Sequence, residues 1–294
     1  MRNAALAKRE LVRGAARFAD LCYVITQDKA LLRDDVAHVV LSGVYQGKWG
    51  DNFKAPWSST AIAIARRPEE KAVCIGEDGD VRTYVGGKVT EERILPAPKV
   101  IRNARSIDGE VYACGMLRQM YRRVGEANWR DISAPRPKKG HTVGFESVDG
   151  FDGGEIYAVG WEGELWQYDG TRWTQHPTPT NVILSAVCCA GDGVVYVAGY
   201  GGVMLRGRGD QWELIDWEEG VTAQLWDVCW FDGKLYVAAI NHLYTLAGPK
   251  LVPVDFGDSE PGTCFSLSSA GGVLWSVGRD DVVSFDGTSW QRYT

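Results

Sequence analysis

One landmark recurs six times along the chain and leaves little freedom in what it can fold into. The runs Lys71-Ala-Val-Cys-Ile-Gly76, Glu110-Val-Tyr-Ala-Cys-Gly115, Glu155-Ile-Tyr-Ala-Val-Gly160, Val194-Val-Tyr-Val-Ala-Gly199, Lys234-Leu-Tyr-Val-Ala-Ala239 and Val273-Leu-Trp-Ser-Val-Gly278 end 39, 45, 39, 40 and 39 residues apart. A second landmark keeps step with the first. Trp129, Trp173, Trp212 and Trp290 lie 14, 13, 13 and 12 residues after Gly115, Gly160, Gly199 and Gly278, and Val89 and Leu251 fill that slot in the other two copies. A period of this length marks a repeat architecture. Each copy has room for four short strands, for example Leu184 to Ala190, Val194 to Gly199, Val203 to Gly207 and Trp212 to Asp216. Asp169-Gly170 and Asp286-Gly287 supply hairpin signals before the fourth strand.

Four antiparallel strands per roughly 40 residues, repeated, predict an all-β chain folded as a β-propeller whose blades bury their faces against one another. A β-solenoid repeats at much shorter periods and lacks the recurrent tryptophan. The six copies cover residues 60–294, within one single propeller domain spanning 1–294. Residues 1–59 are expected to form an irregular first blade or a cap: Ala4 to Ala19 reads as a short basic helix, and Leu21 to Thr26 and His38 to Tyr45 read as strands. Seven blades are favoured over six. The 35 glycines, 12 tryptophans and 12 tyrosines suit many short strands and tight turns.

At these landmark residues the chain resembles bacterial propellers of the WD-repeat and kelch-like superfamily. The resemblance is to generic blade features: Trp226-Asp227 is an isolated dipeptide, and Asp286 and Gly287 are adjacent where sialidase-like propellers separate them. A small propeller rich in Trp and Gly, without catalytic motifs, also resembles propeller-type immunity and interaction proteins. That resemblance implies a non-catalytic protein that blocks a toxin.

Charge is divided along the chain. Residues 1–142 carry 25 Lys and Arg against 17 Asp and Glu, whereas residues 143–294 carry 7 against 21. In a propeller this becomes a lateral dipole across the disc, and such fields steer oppositely charged partners. Acidic clusters interleaved with aromatics, as at Trp161-Glu162 and Trp217-Glu218, suit a basic protein partner and would repel phosphate backbones. The basic stretch from Arg102 to Lys139 comes without a nucleic-acid-binding motif. No apolar run approaches the ~18 residues needed to span a bilayer, and Met1 to Asp20 lacks the apolar core of a secretory signal. With seven cysteines in no C-x-x-C pair, the reading is a cytoplasmic protein with reduced thiols and no metal or cofactor.

Catalytic signatures are not found. The four histidines are unpaired in spacing, and neither a G-x-S-x-G elbow nor a phosphate loop is present. The expected site is therefore a binding face. In propellers the turns after the landmark run share a face with the inter-blade connections, which gathers Trp161, Glu162, Tyr200, His242, Arg279 and Asp280 with Asp216, Trp217, Glu218, Glu219, Asp258 and Glu260. Trp161 and Trp217 break the repeat pattern, and exposed aromatics beside charges make binding anchors. Two alternatives are a propeller-type lyase or hydrolase, which requires convergent ionisable side chains in the channel, and a carbohydrate-binding lectin.

Overall fold

The computed structural model describes residues 4–217 and 222–293. They form seven four-stranded antiparallel sheets, each drawn from one contiguous stretch and ordered from inner to outer strand along the chain. The inner strands of blades 1 to 7 are Arg9–Phe18, Ala61–Ala65, Ile101–Ile107, Phe145–Asp152, Leu184–Cys189, Leu225–Phe231 and Ser266–Ala270. Each packs beside the next, and the first packs beside the seventh, so the ring closes around a central channel. The chain is a seven-bladed propeller. Among the described residues no helix is long and apolar enough to cross a membrane.

Closure involves no shared sheet. Blade 1 meets blade 7 through Leu11 N–H to the Arg279 carbonyl (2.8 Å), and through Ala16 N–H to Ser268 Oγ (3.0 Å). The ion pairs Glu10–Arg279 (3.1 Å) and Lys29–Asp280 (2.9 Å) flank this seam.

Blade 1 corrects one expectation. The helix stops at Ala4–Ala7, and Arg9–Phe18 is a strand paired with Leu21–Asp28. Alanine and arginine favour helix in isolation, but this segment supplies the ring's closing inner strand. A Cβ on Gly14 would stand 2.5 Å from Val277 Cγ2, so the close approach to blade 7 selects glycine here. Tertiary packing therefore outweighs local preference.

The landmark glycine has a steric cause. It ends the second strand of its blade, where the backbone passes against the residues entering the inner strand. A Cβ would lie 2.4 Å from the Val100 carbonyl oxygen at Gly115, 1.8 Å from that of Gly144 at Gly160, and 2.1 Å from that of Thr263 at Gly278. Because the obstacle is backbone, it cannot swing aside. Gly160→Ala is expected to cost about 3 kcal/mol, the upper end of ordinary overpacking, measurable by chemical denaturation. The landmark tryptophans sit half-buried on outer strands. Trp129, Trp173, Trp212 and Trp290 each pack against a separate inter-blade cluster of buried aliphatic and aromatic side chains.

Polar side chains also stitch neighbouring inner strands together at the repeat period. Asn103 Nδ2 donates to the Glu146 carbonyl (3.2 Å), Asp149 Oδ2 accepts from Cys189 N–H (2.8 Å), and Asp227 Oδ2 accepts from Leu267 N–H (2.8 Å). Between the outer parts of blades 2 and 3 lies a fully buried ion pair. Arg123 holds Glu92 through two bonds of 2.5 and 2.9 Å, and Trp129 Nε1 donates to the same carboxylate at 3.2 Å.

Candidate partner-binding face

The turn after each second strand is tied to the connection that enters the inner strand. Met116 N–H donates to the Val100 carbonyl (3.1 Å), Trp161 to Gly144 (3.1 Å), Tyr200 to Ile183 (3.0 Å), and Cys264 N–H to Ile240 (3.0 Å). These bonds put both sets of loops on one face, the face where the inner strands begin.

At the centre of that face the inner strands share a device that sequence patterning misses. In blades 1, 3, 4, 5 and 6 the pairing of inner and second strands slips by one residue, leaving Val12, Arg102, Glu146, Ser185 and Trp226 unopposed. A bulge of this kind turns its extra side chain out of the regular alternation. All five, with Thr60 of blade 2 and Phe265 of blade 7, line one cavity of about 210 Å³ at the channel mouth. Each blade thus contributes at least one residue. The signal for them was their own spacing of roughly 40, hidden because they are chemically unlike.

An aromatic arc occupies one side of the mouth. Tyr200 stands edge-on to Trp226 (centroids 5.8 Å apart), Trp226 packs on Phe265 (5.6 Å), and the Arg279 guanidinium lies over Phe265 at 5.7 Å. Across the mouth, Glu146 binds Arg102 (3.1 Å) and accepts from Trp161 Nε1 at 2.6 Å. Trp161 and Tyr200 are equivalent, each opening a 3-10 turn, at Trp161–Gly163 and Tyr200–Gly202.

The remaining candidates form a rim, not a pocket. Glu162 is exposed and bonded to His141 Nε2 (2.9 Å), Asp216 is exposed, and Asp258 lies in the exposed turn Gly257–Ser259. Glu260 is exposed, with its carbonyl accepting from Arg292 (2.6 Å). His242 is exposed and leans on Tyr244 along its own strand, away from the others. Arg279 and Asp280 are the seam pairs with Glu10 and Lys29. Glu218 and Glu219 fall outside the described residues. Trp217 is half-buried, not an open anchor: its Nε1 donates to the Gly202 carbonyl at 2.8 Å and its ring packs on the core between blades 5 and 6. Arg118 is part of the scaffold under this face, joined to Glu164 of the next blade (2.7 Å).

Arg13 also lines this cavity, and beside it in the channel lie Arg105, Asp149 and Asp227. Arg105 approaches Asp227 at 3.5 Å, and Arg13 donates to Asn103 Oδ1 at 3.0 Å. Burial holds the Asp149 carboxyl above its usual range, against the pull of Arg105. Among the described residues no group of His, Cys, Asp and Glu side chains is arranged to hold a metal ion.

No protein-family model matches the chain. Solved propellers resemble it in fold alone. YCF48, in a structure with a D1 peptide bound, superposes with a TM-score of 0.69 at 13% identity, covering 98% of this chain and 92% of that one. The WD40 propeller domain of Doa1 gives 0.70 at 8% identity, covering 97% and 92%. One relation is much nearer. The immune protein Tsi7 of Pseudomonas aeruginosa is 43% identical over 294 aligned residues, spanning 96% of each chain. Identity at that level over 96% of its length makes this chain a member of the Tsi7 family of immune proteins.

Proposed function

We propose that the chain neutralises a basic toxin by seating the inter-blade face on it and covering the surface the toxin needs. The observation that carries this reading is the kinship with an immune protein across the whole ring. The face supports it physically. Rigid aromatics at the mouth offer apolar area at low entropic cost, and the acidic residues of blades 4 to 7 supply an attractive field. The site of action in this reading is the cytoplasm. All seven cysteines are unpaired thiols, and burial pushes Cys229 and Cys264 up to about 11, which keeps them protonated.

Asp258→Lys with Glu260→Lys is expected to slow association with the toxin about tenfold at low salt, with little change in dissociation, and the gap should close as salt rises. Stopped-flow mixing reads this directly, and an unchanged association rate would remove the electrostatic part of the proposal.

A second reading has one observation in its favour: ionisable side chains do converge in the channel, as a lyase or hydrolase requires. Stoichiometry separates the two. Occlusion predicts that toxin activity reaches its floor at one equivalent of immune protein, whereas catalysis reaches it far below one equivalent.

A further inference from the structure

The three guanidiniums and three carboxylates named in the channel do not pair off one to one. Glu146 is matched by Arg102 and Asp227 by Arg105, while Asp149 is held by the Cys189 N–H. Arg13 is left. Its bond to Asn103 Oδ1 is to a neutral acceptor, and among the described residues no carboxylate lies within ion-pairing distance of it. A guanidinium offers five N–H donors in a planar fork. Here it is half-buried, and it faces the cavity at the channel mouth with most of that fork uncommitted.

Its environment makes this costly. Burial drags the Arg13 pKa down from its usual value, the more distant Asp227 and Glu146 only partly oppose this, and Arg105 adds repulsion. An anion seated against the guanidinium would remove the penalty of an uncompensated charge in a low-dielectric site. The cavity also limits what that anion is. At about 210 Å³ it falls below the ~300–1,000 Å³ of pockets for drug-sized ligands. Tyr200, Trp226 and Phe265 wall it with ring faces and edges. Glu146 stands at the same mouth and disfavours a multiply charged ligand.

We propose that the channel mouth is a binding site for a monocarboxylate on a short planar or apolar stem, with Arg13 as the fork that receives the carboxylate and the Tyr200–Trp226–Phe265 arc as the wall that receives the stem. The carboxylate has two sources, a free small molecule or an acidic side chain of a bound polypeptide. The proposal stands apart from toxin neutralisation, because it is tested on the intact protein alone.

Benzoate is the probe, titrated by calorimetry at constant ionic strength. One-to-one saturable binding is expected, weakened at least tenfold by Arg13→Gln and less by Arg13→Lys. Benzamide, which keeps the shape and lacks the charge, is expected not to bind. Absence of saturable benzoate binding, undiminished binding by Arg13→Gln, or equal binding of benzamide each overturns the site. Tighter binding of inorganic phosphate than of benzoate overturns the monocarboxylate assignment. Should the Arg13 variants fail to fold, the Trp226 indole resonance of the wild-type protein serves instead: it should shift with benzoate, and a static resonance counts against the proposal. A glutamyl tripeptide blocked at both ends separates the sources. Tighter binding than benzoate assigns the site to a polypeptide side chain, weaker binding to a free carboxylate, and Arg13 should be required in either case.

Discussion

Glu92→Ala is expected to cost about 3–5 kcal/mol of unfolding free energy, the largest loss from any single truncation considered for this protein. The reason is the charge left behind. Arg123 is 2% exposed, and its two bonds to Glu92 neutralise it in the interior. Removing the carboxylate strands a guanidinium between blades 2 and 3 and deprives Trp129 of its acceptor. Replacing both partners, as Glu92→Leu with Arg123→Met, should recover most of the loss, because apolar groups of similar volume do not need the compensation. Equal losses in the single and double variants would show that packing, not charge, sets the cost.

The same pair gives the protein an acid limit. Burial by itself would raise the Glu92 pKa, but the hydrogen bond and charge of Arg123 outweigh it and hold the carboxyl below its usual range. The folded-state value thus lies below the unfolded value of about 4.3. The pair's stabilisation is complete above that pH and drains away as pH falls through the folded-state value. Glu92→Gln should flatten this part of the stability–pH curve, which denaturation at stepped acid pH would reveal.

Trp161→Ala is the second large effect, and it falls on binding instead of folding. The indole lies half-buried at the channel mouth, with one bond to Glu146. Glu146 keeps Arg102 when the ring is removed, so the ring of blades should survive. A central aromatic anchor contributes about 2 kcal/mol or more, so the dissociation constant for the toxin should rise roughly 30-fold, chiefly through faster dissociation. Trp217→Ala should also speed dissociation, but that indole is packed on the core and bonded to Gly202, so its removal loosens the loop as well. A Trp161→Ala protein that binds with unaltered affinity would move the interface off the channel mouth.

Blades 2 to 7 were readable because one landmark run recurs at nearly constant spacing, and in blades 3, 4, 5 and 7 its last residue is a glycine pressed against a backbone carbonyl. Blade 1 obeys the same topology without that marker. Its second strand, Leu21–Asp28, ends in aspartate, and the helix Lys29–Arg33 intrudes before the third strand. Two of its strands, near Leu21 to Thr26 and His38 to Tyr45, were visible, and the fourth, Lys48–Ala55, was not. Among the candidate site residues, Trp161 and Tyr200 are brought to the channel mouth, whereas His242 stands exposed along its own strand and Trp217 packs on the core between blades 5 and 6. Glu146 and Trp226 escaped notice because a bulge shifts which side chain faces inward, and no alternation of polar and apolar residues registers a one-residue slip; Arg13 directly follows the bulge at Val12, and Phe265 stands just before its inner strand.

The bulges carry an evolutionary consequence. A residue that no ladder partner opposes can be exchanged without disturbing the backbone ladder bonds on either side of it. Five of the seven positions around the channel mouth are of this kind, so the ring presents a rewritable palette on an invariant frame. An immune protein must follow its adversary as that adversary drifts, and here such pursuit requires changes at Val12, Arg102, Glu146, Ser185 and Trp226 while every blade keeps its packing. A library randomised at those five codons should yield mostly folded members that differ in what they neutralise.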